Sequence, residues 1–319
     1  MALLLGLALI TLIFSVGQGD YPISALDVLK TLLRIPTHNP DHDFVINTLR
    51  LPRALVALAV GIGLAVSGAI LQGLTQNPLA DPGILGINAG ASLAAVSVIV
   101  LFPWVPTVLL PVSAFLGAMA VAISIYLLSW RQGHAPMRLI LMGIGLGAIV
   151  TAFTTVLVTF GEINSVSQAL IWLTGSVYGR SWEHLWPLLP WLLGFGLLSW
   201  LLARDLNSMN LGEEVARGLG VAIEWRRSWL LLASASLAGS AVATAGTVGF
   251  VGLMAPHLAR RMVGPAHEGL IPVAALIGGV LVMLSDWVGR SLFAPIEIPC
   301  GLITSLLGAP FFLYLLYRR

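Results

Sequence analysis

Charge is scarce in this sequence. Lys, Arg, Asp and Glu make up 9% of its 319 residues, where a soluble globular domain carries about a quarter. So few charges cannot cover a water-facing surface, and lipid must solvate much of the chain. The net charge of +2 leaves too few cations for a nucleic-acid footprint, so no nucleic-acid partner is expected. Cysteine is nearly absent. The single Cys300 excludes an internal disulfide and any cysteine-cluster metal site, and no resident metal is expected. No GxxxxGK[ST] loop occurs, so the chain is not expected to hydrolyse ATP by itself. Lys and Arg are also missing ahead of the apolar stretch Met1–Val16, whereas a secretory signal opens with a basic region. A retained first membrane helix is expected in preference to a cleaved signal.

What is present is apolar, at 58% of residues and a mean hydropathy of +0.95. Ten apolar segments occur, at about 2–17, 54–73, 84–102, 107–130, 138–160, 185–203, 228–245, 248–263, 270–289 and 299–317. The eighth is short and glycine-rich. A crossing takes ~20 residues as a helix, and only helices or closed barrels satisfy backbone groups in lipid. Barrel strands would alternate apolar and polar residues, and no such alternation appears. The expected fold class is an all-α integral membrane protein of about ten transmembrane helices, a single transmembrane domain over 1–319. With the N-terminus inside, the inner connections hold Arg131, Arg138, Arg204, Arg217, Arg226, Arg227, Arg260, Arg261, Arg318 and Arg319. The outer ones hold Lys30, Arg34, Arg50, Arg53, Arg180 and Arg290. That excess places both termini in the cytoplasm. Small residues at spacing four, as in Gly61, Ala65 and Ala69, read as close helix packing.

Two hydrophilic insertions interrupt the apolar pattern. The outer one spans 18–53, with "PTHNPDHD" reading as a turn or loop. The inner one spans 204–227. In it Leu211, Val215 and Leu219 recur at spacing four, with Glu213, Glu214 and Arg217 on other faces, and Gly218 and Gly220 can stop the helix. This segment is either a solvated loop or a docking surface for a soluble partner.

A third interruption is sharper. "QGLTQNPLADPG" sets Asn77, Pro78, Asp81, Pro82 and Gly83 within seven residues. The prolines end helix continuation, and Asn77 and Asp81 can bond backbone amides in the turn. Such a stretch is either a well-capped reversal or a constriction in a pore, since irregular backbone at membrane depth is tolerated where it lines a cavity. Other polar residues have plain readings. Arg50, Arg53 and Arg290 can snorkel at the interface. Asp286 stands four residues before Arg290, as an i,i+4 pair. Glu297 can join the same outer network. His257 reads as a hydrogen-bonded structural residue.

The stretch "RLPRALVALAVGIGLAVSGAILQGLTQNPLADPGILGINAGAS" resembles the signature region of the FecCD family, the permease subunits of ABC importers for ferric siderophores, heme and cobalamin. "LGEEVARGLGV", "GTVGFVGLMAPHLARRMVGPAHEGLIP" and "CGLITSLLGAPFFLYLL" resemble three further family blocks, in order, over essentially the whole chain. "ALIWLTGSVYGRSWEHLW" is similar to the ferric dicitrate and siderophore branch. The resemblance implies a type II ABC importer permease fold in the bacterial inner membrane. Two permease subunits would enclose a pathway, two cytoplasmic ATPase subunits would dock below, and a periplasmic binding protein above. A paralogous second permease is expected in preference to an identical one. The only nucleotide would be ATP–Mg²⁺ on the ATPase partner, with no cofactor on this chain.

By the same resemblance Asn77, Pro78 and Leu79 contribute to a cytoplasmic gate. Pro136 and Met137 supply a second gate layer, where some relatives carry small hydroxyl residues. Leu211, Gly212, Glu213, Glu214, Arg217, Leu219 and Gly220 form the ATPase-coupling helix, and Arg50, Arg53 and Arg290 meet acidic residues of the binding protein. The expected function is a passive pathway for a ferric siderophore or ferric dicitrate chelate, driven by the partner ATPase, with no bond chemistry on this chain. Heme or cobalamin import is the alternative within the family. An ion-coupled secondary transporter is the alternative outside it, but that would need ionisable residues near the bilayer midplane, and none lies well inside a segment.

Overall fold

The computed structural model of the chain describes residues 1–19, 21–37, 39–130, 136–292 and 295–317; of residues 84, 130, 136 and 316 only the backbone is described. There is no strand among the described residues. Helix α1 (Ala2–Gly17) leads to the amphipathic α2 (Ala25–Leu32), whose first turn is capped where Ser24 Oγ accepts from the Asp27 amide at 3.1 Å. α3 (Asp41–Asp43), a π-helical stretch Phe44–Arg50, and α4 (Leu51–Leu74) run on as one long helix. After a turn and a short 3₁₀ helix (Pro82–Leu85) come α5 (Ile87–Leu101), α6 (Leu110–Trp130), α7 (Pro136–Phe160), α8 (Ile163–Leu173) and α9 (Trp182–Leu201). The short α10 (Ala203–Asn210) and α11 (Glu213–Gly218) precede α12 (Ile223–Ala245), α13 (Val251–Val263), α14 (His267–Ser291) and α15 (Cys300–Tyr317).

Six of these helices are long and apolar enough to cross a membrane: Asp41–Leu74, Thr107–Ser129, Met137–Phe160, Trp182–Leu201, Ile223–Ala245 and His267–Ser291. Three shorter apolar helices accompany them, at Ala2–Gly17, Ile87–Leu101 and Cys300–Leu315. The expected eighth crossing differs. α13 has 13 residues, a length of about 20 Å at 1.5 Å per residue, short of the ~30 Å hydrocarbon core. Non-helical backbone at 246–250 precedes it. The second crossing also begins earlier than the sequence suggests. Asp41 and Asp43 occupy the first turn of the long helix, where its dipole favours negative charge, so "DHD" is helical and not loop. Pro52 brings no amide to this helix, and the π-helical stretch just before it accommodates that loss. α8 was not anticipated; its apolar run is broken by Ser165, Ser167 and Gln168, which hides it from a hydropathy reading.

α4 sits at the centre and is buried along most of its length. α12, α13 and α14 pack around it. The contacts are backbone to backbone. A Cβ at Gly61 would overlap the Gly278 carbonyl, and one at Gly68 would overlap that of Gly252. Ser67 and Ser234 bind across the α4–α12 crossing, with hydroxyls 2.8 Å apart and Ser67 Oγ donating to the Ser234 carbonyl. A second close meeting joins α8, the 246–250 segment and α15. The Ser176 amide donates to the Ala245 carbonyl at 2.6 Å, and the Gly301 amide to Gly175 at 2.9 Å. Gly246 holds φ +73 there, against the Trp172 carbonyl.

Gly68→Ala and Gly61→Ala are therefore expected to lower the thermal unfolding midpoint of the purified chain strongly, since overpacking typically costs ~1–3 kcal/mol and backbone cannot yield as a side chain does. Gly194→Ala, where no atom lies within 4 Å of the new methyl, is the control and should change it little. A stable Gly68→Ala protein would show that α4 and α13 have room to separate.

Candidate functional site

The turn after α4 is braced from within. Gln76 takes φ +50, turning the chain out of the helix. Asn77 Oδ1 accepts from the Leu79 amide at 3.0 Å, and the Ala80 amide donates to the Asn77 carbonyl at 3.1 Å. Asp81 Oδ1 then accepts from the Gly83 amide at 2.8 Å and caps the 3₁₀ helix. Burial pushes the Asp81 carboxyl up, and the Gly83 amide works against that rise. Pro82 and Asp81 press on Gly252, where a Cβ would lie 2.7 Å from the proline Cδ. The turn is also tied to its neighbours. The Gln72 amide points at the carbonyls of Ala80, Gly252 and Leu253 at 3.3–3.4 Å. Gln76 Nε2 donates to the Met209 carbonyl at 3.1 Å, at the end of α10.

Two cavities border this turn. One of about 790 Å³ is walled by Asn88, Ser92, Thr151, Thr154, Thr174 and Thr247, among others, and reaches Gly83. The other, of about 650 Å³, is bounded by Pro78 and Leu79 of the turn and by the ends of α10, α13 and α15. The hydroxyl-lined cavity has no counterpart in the sequence reading. Its residues are scattered over α5, α7, α8 and the 246–250 segment, and single Ser and Thr in apolar helices carry no spacing signal.

The second expected gate layer is only partly in view. Met137 is exposed at the start of α7; residues 131–135 lie outside the described residues, as do Arg131, Arg318 and Arg319 of the inner cations. The 211–220 segment is nearer to expectation. Gly212 at φ +108 and Gly220 at φ +84 delimit α11, and Leu211, Val215 and Leu219 are all exposed. Glu213 faces inward, 2.6 Å from Arg227 and 3.6 Å from Arg217. Glu213 thus ties α11 to α12, and Glu214 stands beside the exposed apolar residues.

At the opposite end of the bundle the three arginines turn into the chain. Arg53 binds Asp286 through Nε at 3.0 Å and a terminal nitrogen at 2.8 Å, and Glu297 at 2.8 Å. Arg290 donates to the Ser15 and Gln18 carbonyls and to Ser15 Oγ, and lies 3.8 Å from Asp286. Arg50 donates to the carbonyls of Val16, Gly17 and Tyr21. So the i,i+4 pair exists but is long, and the main partner of Asp286 is Arg53, 233 residues away. Arg50 and Arg290 satisfy the last carbonyls of α1, which a helix end otherwise leaves open. His257 meets Phe311 edge to face at 5.6 Å. The sequence does hold one metal-like spacing that sequence reasoning missed, His38–x–x–x–His42; His38 lies outside the described residues, and among those described no three His, Cys, Asp or Glu gather as a metal site.

A helical membrane bundle with a braced turn bordering two cavities has the build of a permease. The whole-chain comparisons agree. Residues 7–318 match the FecCD transport family, and the chain belongs to that family. It is 44% identical to the iron(3+)-hydroxamate import system permease protein FhuG of Bacillus subtilis, over 100% of this chain and 96% of that protein. It is 44% identical to the Fe(3+)-citrate import system permease protein YfmE of the same organism, over 98% and 93%. It is 42% identical to the hemin transport system permease protein HmuU of Yersinia pestis, over 99% and 96%. Among solved structures it matches a metal-chelate type ABC transporter in an inward-facing conformation, with a TM-score of 0.89 and 34% identity, over 99% and 98% of the two chains. The protein is therefore an integral membrane transport subunit of ABC-importer type and not an enzyme.

The arginine–carboxylate end sets a clear rank order. The Asp286 side chain is 4% exposed, and removing it leaves Arg53 and Arg290 without that partner; breaking a buried pair costs on the order of 3 kcal/mol. Glu297 is 34% exposed, and its loss should cost under ~1 kcal/mol. Thermal unfolding of Asp286→Ala and Glu297→Ala should show the larger fall for Asp286. The reverse order would mean that the exposed edge carries the cluster.

Proposed function

We propose that this chain is one half of the membrane pathway of an ATP-driven importer for a ferric chelate, in the bacterial inner membrane, with both termini in the cytoplasm. One observation carries the reading: the braced turn Gln76–Gly83 borders both a hydroxyl-lined cavity and a second cavity at the end of the bundle. Asn77, Pro78 and Leu79 act as the inner gate, with Pro136 and Met137 in a second layer. The half-buried Leu79 supplies the apolar bulk, with a counterpart from the second permease. The partner permease is a paralogue, and the chain itself acts as a single permease domain. The relatives' names support a siderophore or ferric citrate cargo, and the hemin permease keeps heme as the rival cargo.

Coupling runs through the chain's own contacts. Two cytoplasmic ATPase subunits, which hold the ATP–Mg²⁺, dock on Leu211, Val215, Leu219 and Glu214. Movement of α11 displaces the end of α10, whose Met209 carbonyl holds Gln76, the first residue of the gate turn. At the opposite end a periplasmic binding protein docks on the rim. There the Arg53–Glu297 edge is the accessible part, and Arg50 and Arg290 hold α1 in place and so fix the shape of the surface. Charge at such a rim steers encounter and sets register more than it adds affinity.

Two measurements test this. Vesicles carrying the Leu79→Gly permease should leak small solutes severalfold faster than wild type without ATP. Leu79→Cys, paired with a cysteine at the matching position of the second permease, should crosslink in the resting complex. Absence of both would place the closure elsewhere. Separately, Glu214→Lys with Leu211→Asp should reduce ATPase co-purification and uptake, while Arg204→Gln, 88% exposed on the same end, should not. A fully coupled double variant would remove α11 from the ATPase interface.

A further inference from the structure

The cavity at the turn end of the bundle has a chemistry that the gate does not need. Arg260, Arg261, His267, Gln72, Gln76 and Asn210 line it, and no carboxylate does among the described residues. Arg260 donates to Gln72 Oε1 at 3.2 Å, and neither it nor Arg261 has an ion-pair partner among the described residues. The acid nearest in sequence, Glu268, is already engaged, by Asn207 at 2.6 Å and Arg204 at 3.7 Å.

His267 adds an independent sign. It is 2% exposed. Because Asn207 Nδ2 donates to Glu268, Asn207 Oδ1 is the acceptor for the His267 ring at 2.7 Å, which makes Nδ1 the protonated nitrogen. Nε2 is then left on a cavity-lining residue, buried, with no hydrogen-bond partner among the described residues. Nε2 is thus a buried acceptor that calls for a hydrogen-bond donor, which the described residues do not supply. Gly73 makes room for the ring, since a Cβ there would lie 2.8 Å from Nε2.

We infer that this cavity is an oxyanion-binding site, taking a carboxylate or phosphate group between Arg260 and Arg261, with His267 Nε2 accepting from a hydroxyl that the anion carries and the Asn210 amide as a neutral donor. Guanidinium forks match such oxygens in pairs, and the half-buried Arg260, beside low-dielectric protein, holds an anion more firmly than the exposed Arg261 does. A volume of about 650 Å³ suits a small polyanion. The chemistry stands on these side chains alone. That the anion arrives as carboxylates of a departing chelate rests on the transport reading above; a lipid phosphate is the other source.

The test uses the full chain, in complex with its permease partner, in zwitterionic nanodiscs. Citrate and inorganic phosphate are titrated calorimetrically. Wild type should bind citrate saturably; Arg260→Gln with Arg261→Gln should weaken binding about tenfold or more, one tenfold step being about 1.4 kcal/mol. Arg260→Lys with Arg261→Lys should keep part of the affinity, and a matched melting temperature confirms folding of each. In a second arm the complex is extracted from vesicles rich in anionic lipid and weighed intact. Phospholipid retained by wild type and lost from the Gln variant supports the site with a lipid headgroup as occupant. If wild type neither binds citrate or phosphate nor retains lipid, or if the folded Gln variant binds unchanged, the inference falls. Because binding is read without turnover, intact uptake with no anion binding would remove this site and leave the transport reading, and anion binding without uptake would do the reverse.

Discussion

The close approach of α4 to α13 and α14 is the constraint from which the rest follows. Lipid tails are as apolar as leucine, so no hydrophobic force drives helices together within a membrane, and contact depends on how near two backbones can come. Gly61 against Gly278, and Gly68 against Gly252, bring them to carbonyl contact. With α13 seated on the lower part of α4, Gly252 meets Pro82 and Asp81, so the turn is pressed into place by the same packing. A looser bundle would leave the turn as an ordinary connection.

The two ends of this bundle use arginine in opposite ways. At one end Arg50, Arg53 and Arg290 are satisfied by carbonyls and by Asp286 and Glu297, which fastens α1 and the entry to α15 onto the central helices. At the other, Arg260 and Arg261 face open volume beside His267. Charge is rare throughout the chain, so the contrast is informative: the first set is structural in this single chain, and the second stands ready for something brought from outside.

Much of this was legible in the sequence, for definable reasons. The apolar runs gave the helices because lipid leaves the backbone few options. The turn showed itself through Asn77, Pro78, Asp81 and Pro82, whose side chains and rings act within a few residues. Gly220, just past the end of α11, was readable for the same local reason. What could not be read is long-range. Arg53 stands beside Asp286 through packing of α4 on α14, and no spacing in the chain announces it. α13 looked like a crossing because composition does not reveal that 246–250 leaves the helix. The start of the long helix at Asp41 was hidden by prolines and aspartates that favour turns and helix N-termini alike. The motifs carried the family; they did not carry the hydroxyl-lined cavity, whose members come from several separate parts of the chain, α15 among them.

That cavity wall has a further property. Thr154 donates to the Val150 carbonyl, Thr155 to Thr151, Thr174 to Ile171, Thr247 to Leu173 and Ser305 to Gly301. Each of these five hydroxyl protons is thus held by the chain's own backbone, and at those positions the oxygen lone pairs are what remain for the cavity. Such a wall is wettable, yet at these five positions it offers a carboxylate-rich solute no hydrogen to grasp. On the transport proposed above, such a wall would hold a passing anion weakly along most of its hydroxyls and leave Asn88, Ser92 and Thr151 as its points of grip.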